Sequence, residues 1–205
     1  RLIGNGIRLP IPRELAWDRG CGGYQISCIA RFERVKNHEM LFEAIRLVLD
    51  RGVNLDLHCF GDGERLEQMK SLVSELGIEG NVHFEGYVEE VAPRMRLMDL
   101  NVLTSVKEGL PRALIEASAL GVPSVATDVK GSREVIVDGV TGHLIPLGNV
   151  QAFADAVYDL LTTQETLEGF AQAGIERAQE VFDEDAVCGR MVDLYTELMH
   201  RPQES

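Results

Sequence analysis

Positive charge is scarce in this sequence of 205 residues: 20 lysines and arginines stand against 33 aspartates and glutamates, giving a formal net charge of −13 and a pI near 4.8. A surface of that sign is not drawn to nucleic acid or to anionic membrane, so neither is expected as a partner, and any bound anion must meet local cations. Cysteine is sparse too. Cys21, Cys28, Cys59 and Cys188 form no CxxC pair, and Cys28 and Cys59 lie in apolar, strand-like runs where a free thiol behaves as a small hydrophobe. They read as reduced and structural. No apolar run reaches the ~18 residues of a spanning helix, and no charged-then-apolar leader opens the chain, which points to the cytoplasm. The five histidines show no metal-ligand spacing and are read as surface or strand residues, so no metal is expected. Repeats of about 20 to 50 residues and low-complexity tracts are absent.

What is present is alternation. At 45% hydrophobic the chain can bury a good-sized core without disulfides or metals. Short apolar runs at 24–30, 55–60, 81–86, 99–104, 123–127 and 143–146 read as strands, separated by stretches of helical period. Met40, Leu41, Ala44, Ile45, Val48 and Leu49 mark one helix, closed by Gly52; Leu66, Met69, Leu72, Val73 and Leu76 mark the next, closed by Gly77. Further helices are expected around Pro93, from about Pro111 to Leu120, and briefly near Arg133. From Asn149 on the chain is helical, with one stripe through Val150, Phe153, Ala154, Val157, Leu160 and Leu161 and another through Val187, Met191, Leu194, Tyr195 and Leu198. The fold class is therefore α/β: a doubly wound, Rossmann-like parallel sheet of about six strands with helices on both faces. A single domain is expected over 1–205, with 1–23 as a lead-in and 165–205 as closing helices. The opening RLIGNGIRLP has no initiator Met and reads like the end of a connection, so a longer protein is expected.

In open α/β sheets ligands bind beyond the carboxyl ends of the strands, where helix N-termini point their N–H groups outward. Four such loops carry content that packing alone does not require. ARFERVKN puts Arg31 and Lys36 before a helix beginning near Asn37, a pairing suited to a diphosphate, though two solvated loop charges would look the same. FGDGE offers Gly61 and Gly63 for a tight turn, with Asp62 as a helix cap the commoner meaning. EGYVEE can set Val88 against a flat ring, or simply bury Tyr87 and Val88 at a strand end. EGLPRALIEASALG places Glu108, Gly109 and Leu110 in the approach to a helix and Glu116 inside it. With Pro111 in the first turn, Glu116 lies about 7 to 8 Å farther along the axis, at ~1.5 Å per residue. Two carboxylates so spaced can each accept vicinal hydroxyls of one elongated ligand. Equally, Glu116 can pair with Arg112 one turn back while Glu108 favours the positive helix end.

Taken together, EGLPRALIEASALGVPSVATDVKGSREVIVDGVTGHLIP closely resembles the E-x7-E region of retaining GT-B glycosyltransferases of the group 1 type (glycosyltransferase family 4). NGI at 5–7, the Arg31 to Lys36 spacing, GDGE at 61–64 and FEGYV at 84–88 occur in that family's order, and the resemblance spans about residues 3–160. It implies the donor-binding, C-terminal half of a GT-B fold. It further implies that Arg31 and Lys36 bind the diphosphate of a UDP-, GDP- or ADP-sugar, that Glu116 holds the ribose hydroxyls and that Glu108 faces the donor sugar. Gly109, Leu110 and Pro111 would give backbone contacts, Gly61 would border the nucleotide and Val88 would lie near the base. Glu108, Arg31 and Lys36 are the expected catalytic group, with no cofactor and no metal. Ala30, Asn37 and the form GSRE at 131–134 depart from the more glycine-rich family pattern, which changes loop conformation but leaves both cations in place.

The implied activity is retaining transfer of a hexosyl-type sugar to an acceptor hydroxyl, in polysaccharide biosynthesis. The acceptor site and any general base would lie in an N-terminal domain absent from this sequence, and any peripheral contact with the inner membrane face would run through that half. This chain alone is expected to bind donor weakly and to transfer sugar poorly or not at all. Alternatives are a non-catalytic nucleotide-sugar-binding module, a nucleotide-sugar epimerase of the same fold, and a two-carboxylate glycosidase, which would have no use for the diphosphate cations.

Overall fold

The structure, a computed structural model, describes residues 6–13 and 23–199. Asn5 of the NGI motif and Cys21 lie outside these, as does His200. Six strands form one parallel sheet, β1 Tyr24–Ile29, β2 Leu55–Phe60, β3 Val82–Gly86, β4 Leu100–Leu103, β5 Ser124–Thr127 and β6 Gly142–Ile145, in the order β3-β2-β1-β4-β5-β6. The helices are α1 His38–Asp50, α2 Leu66–Glu75, α3 Ala92–Met95, α4 Arg112–Leu120, α5 Lys130–Val135, α6 Val150–Thr162, α7 Gln164–Val181 and α8 Glu184–Met199. Chain direction across the sheet reverses between β1 and β4, so a crevice opens there above the carboxyl ends.

Strand alternation sorts the core into two layers. Ile26, Cys28, Leu57 and Cys59 point to the side where the apolar stripes of α1 and α6 pack together. Ile29 on the opposite face meets a smaller cluster of Met95, Met98, Ala117 and Leu120 from the α3 and α4 region. Cys28 and Cys59 are register partners, buried and free. Inside the sheet Ser27 donates to Asn101 Oδ1 at 3.0 Å and Asn101 Nδ2 donates to Ser124 at 3.4 Å, so the buried polar side chains of β1, β4 and β5 satisfy one another.

Several boundaries differ from the sequence reading for local reasons. Pro123 and Pro146 fall just outside β5 and β6, since proline has no N–H to give a ladder. Pro111 is the residue before α4 rather than its first, with φ −74° and ψ 102°, and its carbonyl receives the Leu114 and Ile115 amides. Asp62 caps nothing: α2 begins at Leu66 after Arg65, and Asp62 instead offers its main-chain oxygen to the Phe32 amide. His38 is neither a surface nor a strand residue; it opens α1, buried, its ring stacked on Phe32 at 4.4 Å. Of the last stripe Val187 is buried and Leu194 half-buried, while Met191 and Tyr195 are exposed on α8. No helix among the described residues is long and apolar enough to cross a membrane.

Candidate functional site

Above the β1/β4 switch lies a cavity of about 540 Å³. Its wall collects residues that follow four different strands: Arg31 and Lys36 after β1, Gly61 after β2, Val88 after β3, and Glu108, Leu110, Pro111 and, on α4, Glu116 after β4. Gly109 is the one proposed site residue that does not line it. Residues that the sequence reading did not single out as site residues also contribute, among them Phe60, Tyr87, Glu89, Val91 and Arg112. Tyr87 is 73% exposed, which removes the reading of it as a buried strand-end residue. Arg112 was legible from its place in the first turn of the same helix as Glu116, but only as an ion-pair partner.

The loop carrying the two cations is held from two directions. Behind Arg31, Ala30 N donates to Phe60 O, Phe32 N to Asp62 O and Arg65 N to Phe32 O at 2.8 to 3.0 Å. That contact is backbone against backbone, for a Cβ on Gly61 would meet Ala30 O at 2.3 Å and one on Gly63 would meet Phe32 O at 2.6 Å. Beyond it, Arg34–Lys36 form a 3-10 turn, and Asn37 takes a left-handed conformation at φ 52° before α1 starts. Thr104 at the end of β4 donates to the main-chain oxygens of both Lys36 and Asn37, and Val106 N donates to Val35 O. The helix therefore begins one residue later than its sequence suggests, because the chain must first turn to bring Lys36 over β4.

There Lys36 Nζ lies 2.7 Å from Glu108 Oε1, with the two side chains 22% and 10% exposed. An ammonium and a carboxylate this sheltered interact more strongly than a surface pair and need each other to offset their desolvation. Arg31 is more open and pairs with Glu33 at 2.8 Å. Glu116 is half-buried on α4, and burial pushes its carboxyl above the usual range while the Arg112 guanidinium, 3.4 Å away, pulls it back down. The cavity wall thus combines apolar side chains at Phe60, Val88 and Val91 with two cations and two carboxylates. Such a lining can hold a flat apolar ring, an anion and hydroxyl groups in one elongated ligand. Among the described residues no group of three or more His, Cys, Asp or Glu could hold a metal ion.

A family model described as glycosyl transferases group 1 matches residues 21–177. The chain belongs to this family, and its six-stranded parallel sheet with helices on both faces matches part of the GT-B glycosyltransferase structures. It is 31% identical over 171 residues to N-acetyl-alpha-D-glucosaminyl L-malate synthase of Bacillus anthracis, covering 83% of this chain and 45% of that protein. Among solved structures, a variant of S. aureus TarM in complex with fondaparinux, alpha-GlcNAc-glycerol and UDP superposes with a TM-score of 0.82 at 23% identity, covering 94% of this chain and 38% of that one. Anabaena Alr3699/HepE in complex with UDP gives 0.79 at 21%, covering 86% and 49%. The chain spans about half the length, or less, of these relatives.

Proposed function

We propose that the cavity binds a nucleoside diphosphate sugar and that the chain is the donor-binding half of a glycosyltransferase that moves a hexosyl unit to an acceptor hydroxyl with retention at the anomeric carbon. The observation that carries this reading is the convergence of the Arg31 and Lys36 cations with the Glu108 and Glu116 carboxylates, two pairs 72 positions apart in sequence, on one cavity at the sheet's switch point. Glu116, on α4, accepts the ribose hydroxyls; Glu108, in the loop before α4, faces the sugar; Val88 and its neighbours flank the base. Gly109, Leu110 and Pro111 offer main-chain groups beside the sugar and diphosphate, and Gly61 borders the nucleotide. Breaking the anomeric bond leaves positive charge on the sugar and negative charge on the diphosphate, so Arg31 and Lys36 stabilise the leaving group as it forms. No metal or cofactor is required by that chemistry.

The Lys36 to Glu108 pair supplies a reason for both residues to be held ready before a ligand arrives. Lys36 can turn toward a diphosphate while Glu108 turns toward the sugar, exchanging one charge-assisted contact for two. The acceptor site and the general base belong, on this reading, to a further domain such as the longer relatives leave room for, and residues 1–205 alone bind donor without useful turnover. Appreciable transfer by this chain to a simple acceptor would overturn that part.

The complexes of TarM and HepE contain UDP, which makes a nucleoside diphosphate the first ligand to test. Titration calorimetry with UDP, GDP and ADP is expected to show binding of one of them, weakened about tenfold or more by Lys36→Ala and by Glu116→Ala, since each removes a charged hydrogen-bonding partner. Binding that survives both substitutions would leave Glu116 as no more than the helix partner of Arg112.

A further inference from the structure

We propose that Gly131, in the first turn of α5, is a positioning residue for Glu108, and that α5 is the strut that aims this carboxylate at the donor sugar. The inference rests on the donor-site reading and adds to it a residue that does not line the cavity. A Cβ built on Gly131 would come within 2.4 Å of Gly109 O, 2.8 Å of Glu108 Cβ and 2.8 Å of Glu108 O. All three contacts are with the two residues that open the EGLP loop, and two are with main-chain oxygens that cannot rotate away. Gly131 itself is buried and has no left-handed φ, so the demand for glycine here comes from the approach of the loop and not from backbone conformation.

The loop is also held by Leu110, which packs against the core, and by Val106 N donating to Val35 O, but neither contact touches the Glu108 side chain. Glu108 has Lys36 on one side, and nothing lies within 4 Å of where a Cβ on Gly109 would stand. The strut is anchored at its far end. Arg177 on α7 donates from Nε to Val135 O and from Nη2 to Glu134 O, both at 2.8 Å, tying the last turn of α5 to the helical layer. A side chain at position 131 would push Glu108 off its line while leaving Glu116, on α4, and the main chain of Lys36, held by Thr104, where they are.

The test is calorimetry on the 205-residue chain with UDP, GDP and ADP and with UDP-glucose, GDP-mannose and ADP-glucose, for the unsubstituted chain, Gly131→Ala, Glu108→Gln and the double variant. Whichever nucleotide binds should bind Gly131→Ala within about twofold of normal, whereas its sugar conjugate should lose about tenfold, the scale expected when a group is misplaced by an ångström or so. The double variant should be no worse than Glu108→Gln alone. Equal losses for nucleotide and conjugate, or additive losses in the double variant, would overturn the proposal. Should Gly131→Ala fail to fold, Arg177→Ala slackens the same strut without adding volume: a loss confined to the sugar conjugate supports the role, and unchanged or uniform affinities refute it. Absence of binding of all six compounds to the unsubstituted chain would instead overturn the donor-site reading itself, and this role with it.

Discussion

Glu116 shows how much a single residue owes to its surroundings. Its carboxyl is raised by burial and only partly compensated by Arg112, so the native state holds its proton to a higher pH than the unfolded chain does. Stability contributed by this group is therefore present in acid and lost as pH rises from the ordinary carboxylate range to the raised one. Glu116→Gln should raise Tm by about 1 to 3 °C at pH 7, with the gain vanishing below about pH 4, while weakening nucleotide binding. Thermal unfolding at the two pH values beside one titration checks both halves. A Tm that falls at pH 7 would mean that the carboxylate is better satisfied than its burial suggests. The helical spacing of Arg112 and Glu116 made their pairing legible in sequence; the depth that sets the balance between burial and pairing was not. Likewise Lys36 and Glu108 were each legible as charged loop residues, but 72 positions of chain separate them and only the fold brings them to 2.7 Å.

At the scale of elements, the strands and helices follow from alternating apolar runs, and their ends from chemistry that is partly visible in sequence. Gly121 closes α4 at φ 75°, as a glycine after a helix should. The GDG turn was harder to read. Its glycines look like those of a tight turn or of a capped helix start, yet the structure uses them to let β2's exit press against the loop after β1. Gly63, at φ 151° with Phe32 O in the way, should tolerate no side chain: Gly63→Ala is expected to cost about 2 to 3 kcal/mol, from overpacking added to an unfavourable φ. Urea unfolding would measure it, and a cost below about 0.5 kcal/mol, the range of an ordinary surface change, would show that the Arg31 loop yields easily.

For the whole molecule the decisive contact is between helices far apart in sequence. Phe153 of α6 is fully buried in the core that α1 and α6 share on one face of the sheet. Phe153→Ala should destabilise the chain by about 3 to 5 kcal/mol, because truncating a core aromatic loses both transfer energy and packing. At temperatures where the variant remains folded, nucleotide affinity should be nearly unchanged, since the cavity lies at the ends of the strands and Phe153 is not part of its wall. A large loss of affinity without unfolding would instead show that the α6 layer governs the site's shape. The sequence by itself determined the fold class, the family and the polar loops that matter, because hydrophobic period and loop composition are local properties written along the chain. The tertiary structure alone decided that Lys36 meets Glu108, that His38 is buried against Phe32 and that Gly131 stands behind Glu108. Those are contacts between segments brought together by strand order, and spacing along the chain carries no measure of distance across the sheet.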